Sequence, residues 1–192
     1  MTFTQKRWVH RKGVQLFSLF VGAIAFSTNS AFAQNITTDG TLRPAKTLTG
    51  PNYNILQEDG TTVGSNLFHS FEKFNLNAGE SAVFQSTADI QNIISRITGG
   101  SASNIDGLLR TQSFNVNLYL INPNGIIFGS NAQIDIGSET RGSFIATTLD
   151  SLSWSNGSQF SATNPGNSSS LLTIVGDPSG FLSSLEQPKP IE

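Results

Sequence analysis

The chain has 192 residues, which is enough for one domain with its own core, and 37% of them are hydrophobic. Only 12% are charged, about half the share of an average soluble protein, and the formal net charge of -2 excludes the broad basic surface that a nucleic-acid partner requires. There is no cysteine, so packing and hydrogen bonds have to hold the fold without disulfides.

The first 33 residues have the organisation of a secretory signal peptide. Basic side chains come first, an apolar run follows over residues 14–26, and the segment ends in Ala31-Phe32-Ala33. The apolar run is shorter than the roughly 20 residues that span a bilayer, which argues against a membrane anchor. We therefore expect cleavage after Ala33. The remaining chain has 7 Lys and Arg against 13 Asp and Glu, a net charge of -6.

Short apolar runs separated by turn residues dominate the rest of the sequence. The predicted strands are Ser81–Phe84, Ile90–Ile97, Phe114–Ile121, Ile126–Phe128, Ile134–Ile136 and Phe144–Leu149. The predicted turns are Asn77-Ala78-Gly79, Thr98-Gly99-Gly100, Asn122-Pro123-Asn124-Gly125, Gly137-Ser138, Asn156-Gly157 and Asn164-Pro165-Gly166. The best helical candidate, 88–97, contains Ile93, Ile94 and Ile97, whose β-branched side chains favour a strand. We predict an all-β fold.

Short strands with frequent turns fit a sandwich, a barrel or a parallel β-helix. Asparagine and glycine are concentrated at the bends, where asparagine amides can stack on their equivalents in neighbouring coils and form a ladder. This pattern favours a right-handed parallel β-helix (a solenoid) with short extra strands at its N-terminal cap. The sequence contains no exact repeat of fixed period, so the pattern alone leaves the other two architectures open.

One turn lies between two strongly apolar strands, at Asn122-Pro123-Asn124-Gly125. Proline fixes its own φ, and the asparagine and glycine that follow accept positive φ, so the tetrapeptide predicts a tight turn with a sharp stop. Taken alone, it indicates a turn and nothing more.

The residues around this turn resemble a known family. Asn117–Gly129 is similar to the signature of the secretion domain at the N-terminus of two-partner-secretion exoproteins, the filamentous-haemagglutinin group. Other blocks resemble the same family in the same order: Gly64–Phe71 with Phe74–Leu76, Asn92–Gly100 with Ile105–Gly107, Gly142–Thr148 and Phe160–Asn164. The resemblance extends from Ile36 to Phe181 and is strongest to the cyanobacterial branch.

The resemblance implies a secretion-targeting domain of an exported adhesin-like protein, with no enzymatic activity, cofactor or small-molecule substrate. It implies two partners: the general secretion machinery and an outer-membrane transporter with periplasmic POTRA-type domains. The expected location is secreted or cell-surface, reached through the periplasm of a Gram-negative-type cell. The expected export motif comprises Asn122, Pro123, Asn124, Gly125 and Ile126. The segment expected to contact the partner comprises Asn66, Leu67, Phe68, His69 and Phe71.

The chain departs from the family pattern in two places. The family's second motif, Asn-Pro-Asn-Leu, does not occur, and the nearest piece has Ser65 where proline is expected. Further β-coils usually follow, whereas here Phe181 and Leu182 are soon followed by Pro188 and Pro190. We expect a signal peptide at 1–33, a secretion domain at 34–182 that lacks its last coils and exposes strand edges there, and an irregular tail at 183–192. A nonfunctional truncated remnant stays an alternative.

Catalytic chemistry has little support in the sequence. Asp106, Asp135, Glu139 and Asp150 are spread singly, as solvated or turn residues are. His69 is the one histidine outside the predicted signal peptide, and no carboxylate adjoins it in the sequence to form a relay. No nucleophile elbow, phosphate loop or metal-ligand cluster is present.

An adhesive or carbohydrate-binding surface module is the alternative from another class. Exposed aromatic rings would provide such a surface, and Trp154 and Tyr119 are the main candidates. Trp154 lies next to a predicted turn, where packing at a sheet edge is the more common role of a tryptophan.

Overall fold

The computed structural model describes residues 2, 35–113, 115–137, 142–166, 168–184 and 186–192. Apart from Thr2, the predicted signal peptide lies outside the described residues, as do Phe114, Ser138 and Glu139. The strands are β1 (Ile36–Thr38), β2 (Asn52–Ile55), β3 (Thr61–Val63), β4 (Asn66–Phe74), β5 (Ser81–Phe84), β6 (Asn92–Ile97), β7 (Ser103–Ile105), β8 (Leu108–Thr111), β9 (Asn117–Ile121), β10 (Ile126–Phe128), β11 (Gln133–Asp135), β12 (Phe144–Thr147), β13 (Ser151–Ser153), β14 (Gln159–Ser161) and β15 (Gly180–Leu182).

Two 3-10 helices, Gln57–Asp59 and Ser168–Thr173, are the helical elements among these residues. No helix in the described part of the chain has the length and apolar character needed to cross a membrane. The prediction of an all-β fold is confirmed. β5 and β10 match their predicted bounds residue for residue, and the other predicted strands overlap observed ones.

Three stacks of parallel strands build the fold. The largest, the central sheet, has the order β1-β4-β6-β9-β12, and its last four strands run parallel. A second stack has the order β11-β8-β5-β2, and a third pairs β10 with β7. The chain visits these stacks in turn and forms a β-solenoid of about 4 turns, which confirms the predicted solenoid. At the N-terminal end, β1 and β3 pair antiparallel with β4 as the extra cap strands.

The strands of neighbouring coils are aligned although the coils differ in length. Leu67 is aligned with Ile93, Ile93 with Leu118, and Leu118 with Phe144, which are steps of 26, 25 and 26 residues. In the second stack Asn52 is aligned with Ser81, a step of 29 residues. The loops between strands absorb these differences, which is why the sequence has no fixed period.

Both faces of the central sheet are buried. On the inner face Leu67, Ile93 and Leu118 form a row inside the solenoid. Nearby, the rings of Phe71 and Phe74 contact one another with centroids 5.1 Å apart. Since β4 and β6 lie in the middle of this sheet, the first six residues of β4 and all six of β6 are buried.

A separate module, here called the cover, lies on the outer face of the central sheet. It comprises Ser151–Leu182, with the antiparallel sheet β14-β13-β15 and the second 3-10 helix. Phe68 of β4 packs against Phe160 and Trp154 of the cover, with ring centroids 4.9 and 5.8 Å apart. Ile94 of β6 belongs to the same buried cluster. The cover thus supplies a second core.

An asparagine ladder runs across the starts of β4, β6 and β9. Asn92 Nδ2 donates to Asn66 Oδ1 at 2.9 Å, and Asn117 Nδ2 donates to Asn92 Oδ1 at 3.0 Å. The next coil continues the ladder, because the Ser143 amide donates to Asn117 Oδ1 at 3.0 Å. Asn92 also donates to the Asp177 carboxylate in the cover at 3.0 Å. Asparagine amides thus stack from coil to coil, but they do so at the starts of strands and not in the predicted turns.

The C-terminal residues add to the third stack. Ile191 forms a parallel bridge with Ile126, Glu192 N donates to Ile126 O at 3.0 Å, and Phe128 N donates to Glu192 O at 2.7 Å. Residues 190–192 thus continue the β7–β10 ladder, whereas the rest of the described tail contains no strand. Among the described strands, β11 and β12 are the last of their stacks.

We predict that Asn92→Ala lowers the free energy of unfolding by about 2–3 kcal/mol, because it removes the middle of the ladder and leaves buried polar groups without partners. Urea denaturation of the variant and the native chain measures this difference.

Asn54→Ala is the matched control. Asn54 also belongs to a strand, but its side chain is exposed and accepts one bond, from Gln85 Nε2 at 3.2 Å. We expect a change within about 0.5 kcal/mol for this variant. Equal losses in the two variants would show that the ladder contributes nothing beyond an exposed contact.

Candidate functional site

The predicted export motif forms a tight turn at the end of β9. The Asn124 amide donates to Asn122 Oδ1 at 3.0 Å, and the Gly125 amide donates to Asn122 O at 3.1 Å. Gly125 has φ of 113°, a conformation that costs a glycine little and a residue with a Cβ much more. The asparagine, proline and glycine therefore each have a conformational role in reversing the chain.

The motif also fastens the turn to the preceding coil. Asn122 is fully buried, and its Nδ2 donates to Ser101 O at 3.1 Å and to Ser103 Oγ at 3.0 Å. Asn124 Nδ2 donates to Gly99 O at 2.8 Å. These bonds tie consecutive coils together, which gives the motif an architectural role.

One side of the motif remains at the surface. Asn124 is exposed, whereas Pro123 is buried. Both residues border a shallow groove of about 370 Å³, which Thr98, Thr163 and Lys189 also line. Asn124 is therefore the motif residue whose side chain combines exposure with a single hydrogen bond to the preceding coil.

The predicted partner-contact segment lies inside the folded domain. All five of its residues belong to β4 and are at most 1% exposed: Asn66, Leu67, Phe68, His69 and Phe71. β4 pairs on one side with β1 and β3 and on the other with β6. The folded domain therefore offers neither these side chains nor a free edge of this strand to a partner.

The structure does not join the two predicted segments into one surface. Asn66 is aligned with Asn92, and Asn92 with Asn117 at the start of β9. The motif follows the other end of β9, after Ile121. Asn66 and the motif thus lie at opposite ends of the central sheet.

His69 is a buried, neutral histidine. Its ring packs between Phe71 and Phe84, with centroids 5.9 and 5.6 Å away. In the described part of the chain, neither ring nitrogen has a hydrogen-bond partner. Burial lowers the pKa of His69 to about 4, and the charge of the Asp59 carboxylate opposes this shift only in part. The sequence predicts a ring that is packed or faces a partner rather than a general base, and in the folded domain the ring is packed.

Arg96 is the buried residue that the sequence analysis missed. It is 1% exposed and lies on the outer side of β6, under the cover. Its guanidinium donates to Ser70 Oγ at 2.7 Å, to Thr41 Oγ1 at 3.0 Å and to the carbonyls of Ser161 and Gly166, both at 2.9 Å. Burial lowers the pKa of Arg96 to about 10, so it stays charged at neutral pH. The sequence did contain a signal for it, because Arg96 interrupts the apolar run 90–97 that was predicted as a strand.

Of the carboxylates considered for catalysis, the three that lie in the described part of the chain have separate polar partners. Asp106 accepts from the Asn131 amide at 2.8 Å, and Asp135 lies 3.2 Å from Arg110 Nε. Asp150 is buried and accepts from Ser184. Among the described residues, no group of three or more His, Cys, Asp or Glu is placed to hold a metal ion.

Trp154 has the packing role that the sequence analysis favoured. It is 2% exposed, and its indole Nε1 donates to Gly176 O at 3.1 Å. Its ring is therefore not available as a carbohydrate-binding platform in the folded domain.

We predict that His69 makes the domain less stable in mild acid. The unfolded chain binds a proton at this histidine near pH 6.5, whereas the folded chain does so only near pH 4. The unfolded state binds more protons within this window, so stability is complete above pH 6.5 and is lost as the pH falls towards 4.

Urea denaturation should show a loss of about 2 kcal/mol between about pH 7.5 and pH 5. His69→Leu should remove this loss, with His10, the only other histidine, left in place. The same pH dependence in His69→Leu would contradict the assignment.

The sequence matches the family model of the TPS secretion domain over residues 33–190, which includes the solenoid, the cover and most of the tail. No curated protein matches the chain, and no solved structure does. The matched family is a secretion family and not a catalytic one, and it implies export through the outer membrane with a partner transporter. The chain belongs to the TPS secretion domain family and is a secretion-targeting domain of a two-partner-secretion exoprotein.

Proposed function

We propose that a dedicated outer-membrane transporter exports this domain and that periplasmic POTRA-type domains of the transporter bind the chain before it folds. The general secretion machinery first delivers the chain to the periplasm of a Gram-negative-type cell, where the signal peptide at 1–33 is removed. The secretion domain at 34–182 then crosses the transporter pore and folds into its solenoid at the cell surface, as the leading part of an adhesin-like protein.

The burial of most residues in both recognition segments carries this proposal. Asn122 and Ile126 have no exposed surface in the folded domain, and neither do Leu67, Phe68 and His69. A partner that recognises these side chains has to bind them before the solenoid closes. Recognition of the unfolded chain is therefore the mode that is compatible with the fold.

Binding by strand addition suits these segments. An extended chain can pair its backbone with the edge of a partner's sheet, and pockets for alternate side chains give specificity. In the folded domain the backbone of the partner-contact segment pairs with neighbouring strands, since β4 lies between β6 on one side and β1 and β3 on the other. The strand before the motif, β9, likewise lies between β6 and β12. Folding and transporter binding then compete for the same hydrogen bonds, so folding outside the cell releases the chain from the transporter.

Folding also favours export over return. Each large apolar side chain that becomes buried contributes about 1.5–3 kcal/mol, and the solenoid and the cover each bury a cluster of them. The absence of cysteine means that no disulfide can form in the periplasm and block the passage of an extended chain.

We predict that Asn124→Ala reduces transporter-dependent release of the tagged full chain by roughly fivefold or more but lowers the free energy of unfolding by only about 1 kcal/mol, because Asn124 is exposed. Asn122→Ala should also reduce release, but at a cost of about 2–3 kcal/mol, because the buried Asn122 amide is lost. Blots of medium and periplasm from cells with and without a family transporter measure release, and urea denaturation measures stability.

Asn156→Ala is the matched control for the motif. Asn156 precedes a glycine in a turn of the cover, and its Oδ1 accepts from the Ser158 amide at 3.0 Å, as Asn122 Oδ1 does from Asn124. This variant should be released like the native chain. Release without a transporter, or equal release of the Asn124 and Asn156 variants, would overturn the proposal. Retention of every version in the periplasm would instead indicate a truncated remnant.

A further inference from the structure

The cover and the solenoid are built from different sheets. The strands β13, β14 and β15 pair with one another in an antiparallel sheet, whereas the described strands of the solenoid pair among themselves. The cover follows β12 in the chain, so all the strands of the central sheet are complete before the cover begins. In the part of the chain that the structure describes, side-chain contacts and not a shared sheet join the two modules, and such contacts can separate without breaking a strand ladder.

Apolar side chains provide most of the contact between the cover and the central sheet. Phe160 and Trp154 of the cover meet Phe68 of β4, and Leu152 belongs to the same buried cluster as Ile94. If the cover lifted, the outer face of the central sheet would expose a broad apolar surface. Monomeric soluble proteins rarely leave such a surface uncovered.

Arg96 is the polar centre of this contact. From the central sheet it donates to the carbonyls of Ser161 and Gly166 in the cover, both at 2.9 Å. Its guanidinium carbon also lies 4.3 Å from the centre of the Phe160 ring, a cation–π contact. One side chain of the solenoid thus holds β14 and the loop that follows it.

The same guanidinium reaches the N-terminal cap, in which Asp39 and Thr41 lie in the loop that follows β1. Arg96 donates to Thr41 Oγ1 at 3.0 Å and to Ser70 Oγ at 2.7 Å, and Ser70 Oγ donates in turn to Asp39 Oδ2 at 2.6 Å. Burial alone would raise the pKa of Asp39, but hydrogen bonds from Ser70, Thr41 and Thr98 outweigh burial and hold this pKa below its usual value. Arg96 therefore links the cap, the central sheet and the cover.

The asparagine ladder provides a second attachment of the cover. Asn66 Nδ2 donates to Gly176 O at 2.8 Å, and Asn92 Nδ2 donates to the Asp177 carboxylate at 3.0 Å. Trp154 Nε1 donates to the same Gly176 carbonyl at 3.1 Å. The two attachments lie at opposite ends of the strands, because Asn92 begins β6 and Arg96 is its next-to-last residue.

We propose that the cover, Ser151–Leu182, is a lid that opens from the central sheet while the solenoid stays folded, and that Arg96 is the latch that holds it closed. Two connections join the lid to the solenoid, residues 148–150 before β13 and the chain between Leu182 and the bridge of Ile191 with Ile126, and the lid turns about both. When the lid is open, the outer face of the central sheet exposes Phe68 and Ile94 beside the guanidinium of Arg96. The closed domain buries these side chains. This proposal does not rest on recognition by a transporter.

Native-state hydrogen exchange of the full chain tests the lid. The amides of Trp154 and Ser179 report on the cover, since they donate within it to Ser158 O and Ser153 O. A sheet of three short strands that has lifted off its apolar support loses such bonds readily, so exchange of these amides follows the opening. The amides of Gln112 and Leu118 report on the solenoid, since they donate to Phe84 O and Ser143 O. Native-state exchange gives an equilibrium constant for opening at each amide. In the native chain this constant should be at least roughly tenfold larger for the cover amides than for the solenoid amides.

Arg96→Lys tests the latch, because lysine keeps the charge but lacks the planar fork that donates to several acceptors at once. This variant should speed exchange of the cover amides roughly tenfold or more and change the solenoid amides by less than about twofold. Arg110→Lys is the matched control, since Arg110 is a half-exposed arginine on β8. It should change neither set.

Trp154 fluorescence gives an independent measurement. In full chains that carry Trp8→Phe, Trp154 is the only tryptophan. Its unfolding transition in urea should precede the circular-dichroism transition in Arg96→Lys, by roughly 0.5 M or more. If Arg96→Lys does not fold, Phe160→Leu serves in its place, because it removes the ring under the guanidinium and leaves the cap contacts of Arg96 intact.

Two results would overturn the proposal. Equal acceleration of the cover and the solenoid amides, with coincident fluorescence and circular-dichroism transitions, would mean that the domain unfolds as one unit. Unchanged exchange of the cover amides in both Arg96→Lys and Phe160→Leu would mean that Arg96 is not the latch. Neither result depends on whether the chain is exported.

Discussion

The burial of the central sheet on both faces is the constraint on which the rest of the domain depends. One face lines the solenoid and the other lies under the cover, so β4 and β6 cannot alternate apolar and polar residues as a half-exposed strand does. A polar group buried in this sheet is costly unless it finds a partner within the protein. The asparagine ladder meets this need where the strands begin, and Asn122 meets it after β9 ends. Both devices bond one coil to the next.

Two ionisable residues of this sheet tolerate burial in opposite ways. Arg96 keeps its charge, because Ser70, Thr41 and two backbone carbonyls accept hydrogen bonds from its guanidinium. His69 loses its charge, because its ring is enclosed by Phe71 and Phe84. The outward side chain thus serves as a bridge between modules, whereas the inward one serves as packing. The alternation of side chains along neighbouring strands decides which role each residue receives.

The candidate export motif is the place where the proposed recognition would compete with folding. Asn122 completes the turn and donates to Ser101 O before β7 and to Ser103 Oγ at its start, so this side chain becomes buried when the coil forms. Asn124 remains exposed beside the turn. A sequence under selection for export and one under selection for a tight turn would both retain these residues. Comparing the effect of each substitution on stability with its effect on release is therefore what separates the two roles.

The sequence by itself determined the all-β class, the turn at Asn122–Gly125 and the stacking of asparagines, because these depend on strand-length apolar runs and on local backbone preferences. The solenoid and the family followed from ordered blocks of residues. Only the tertiary structure decided that unequal coils align Leu67 with Ile93 and Leu118, because loops of different length absorb the differences. It alone placed Arg96 between the cap and the cover, since its partners lie 26 to 70 residues away in the chain. Contacts over such separations depend on how coils stack, and no local pattern encodes them.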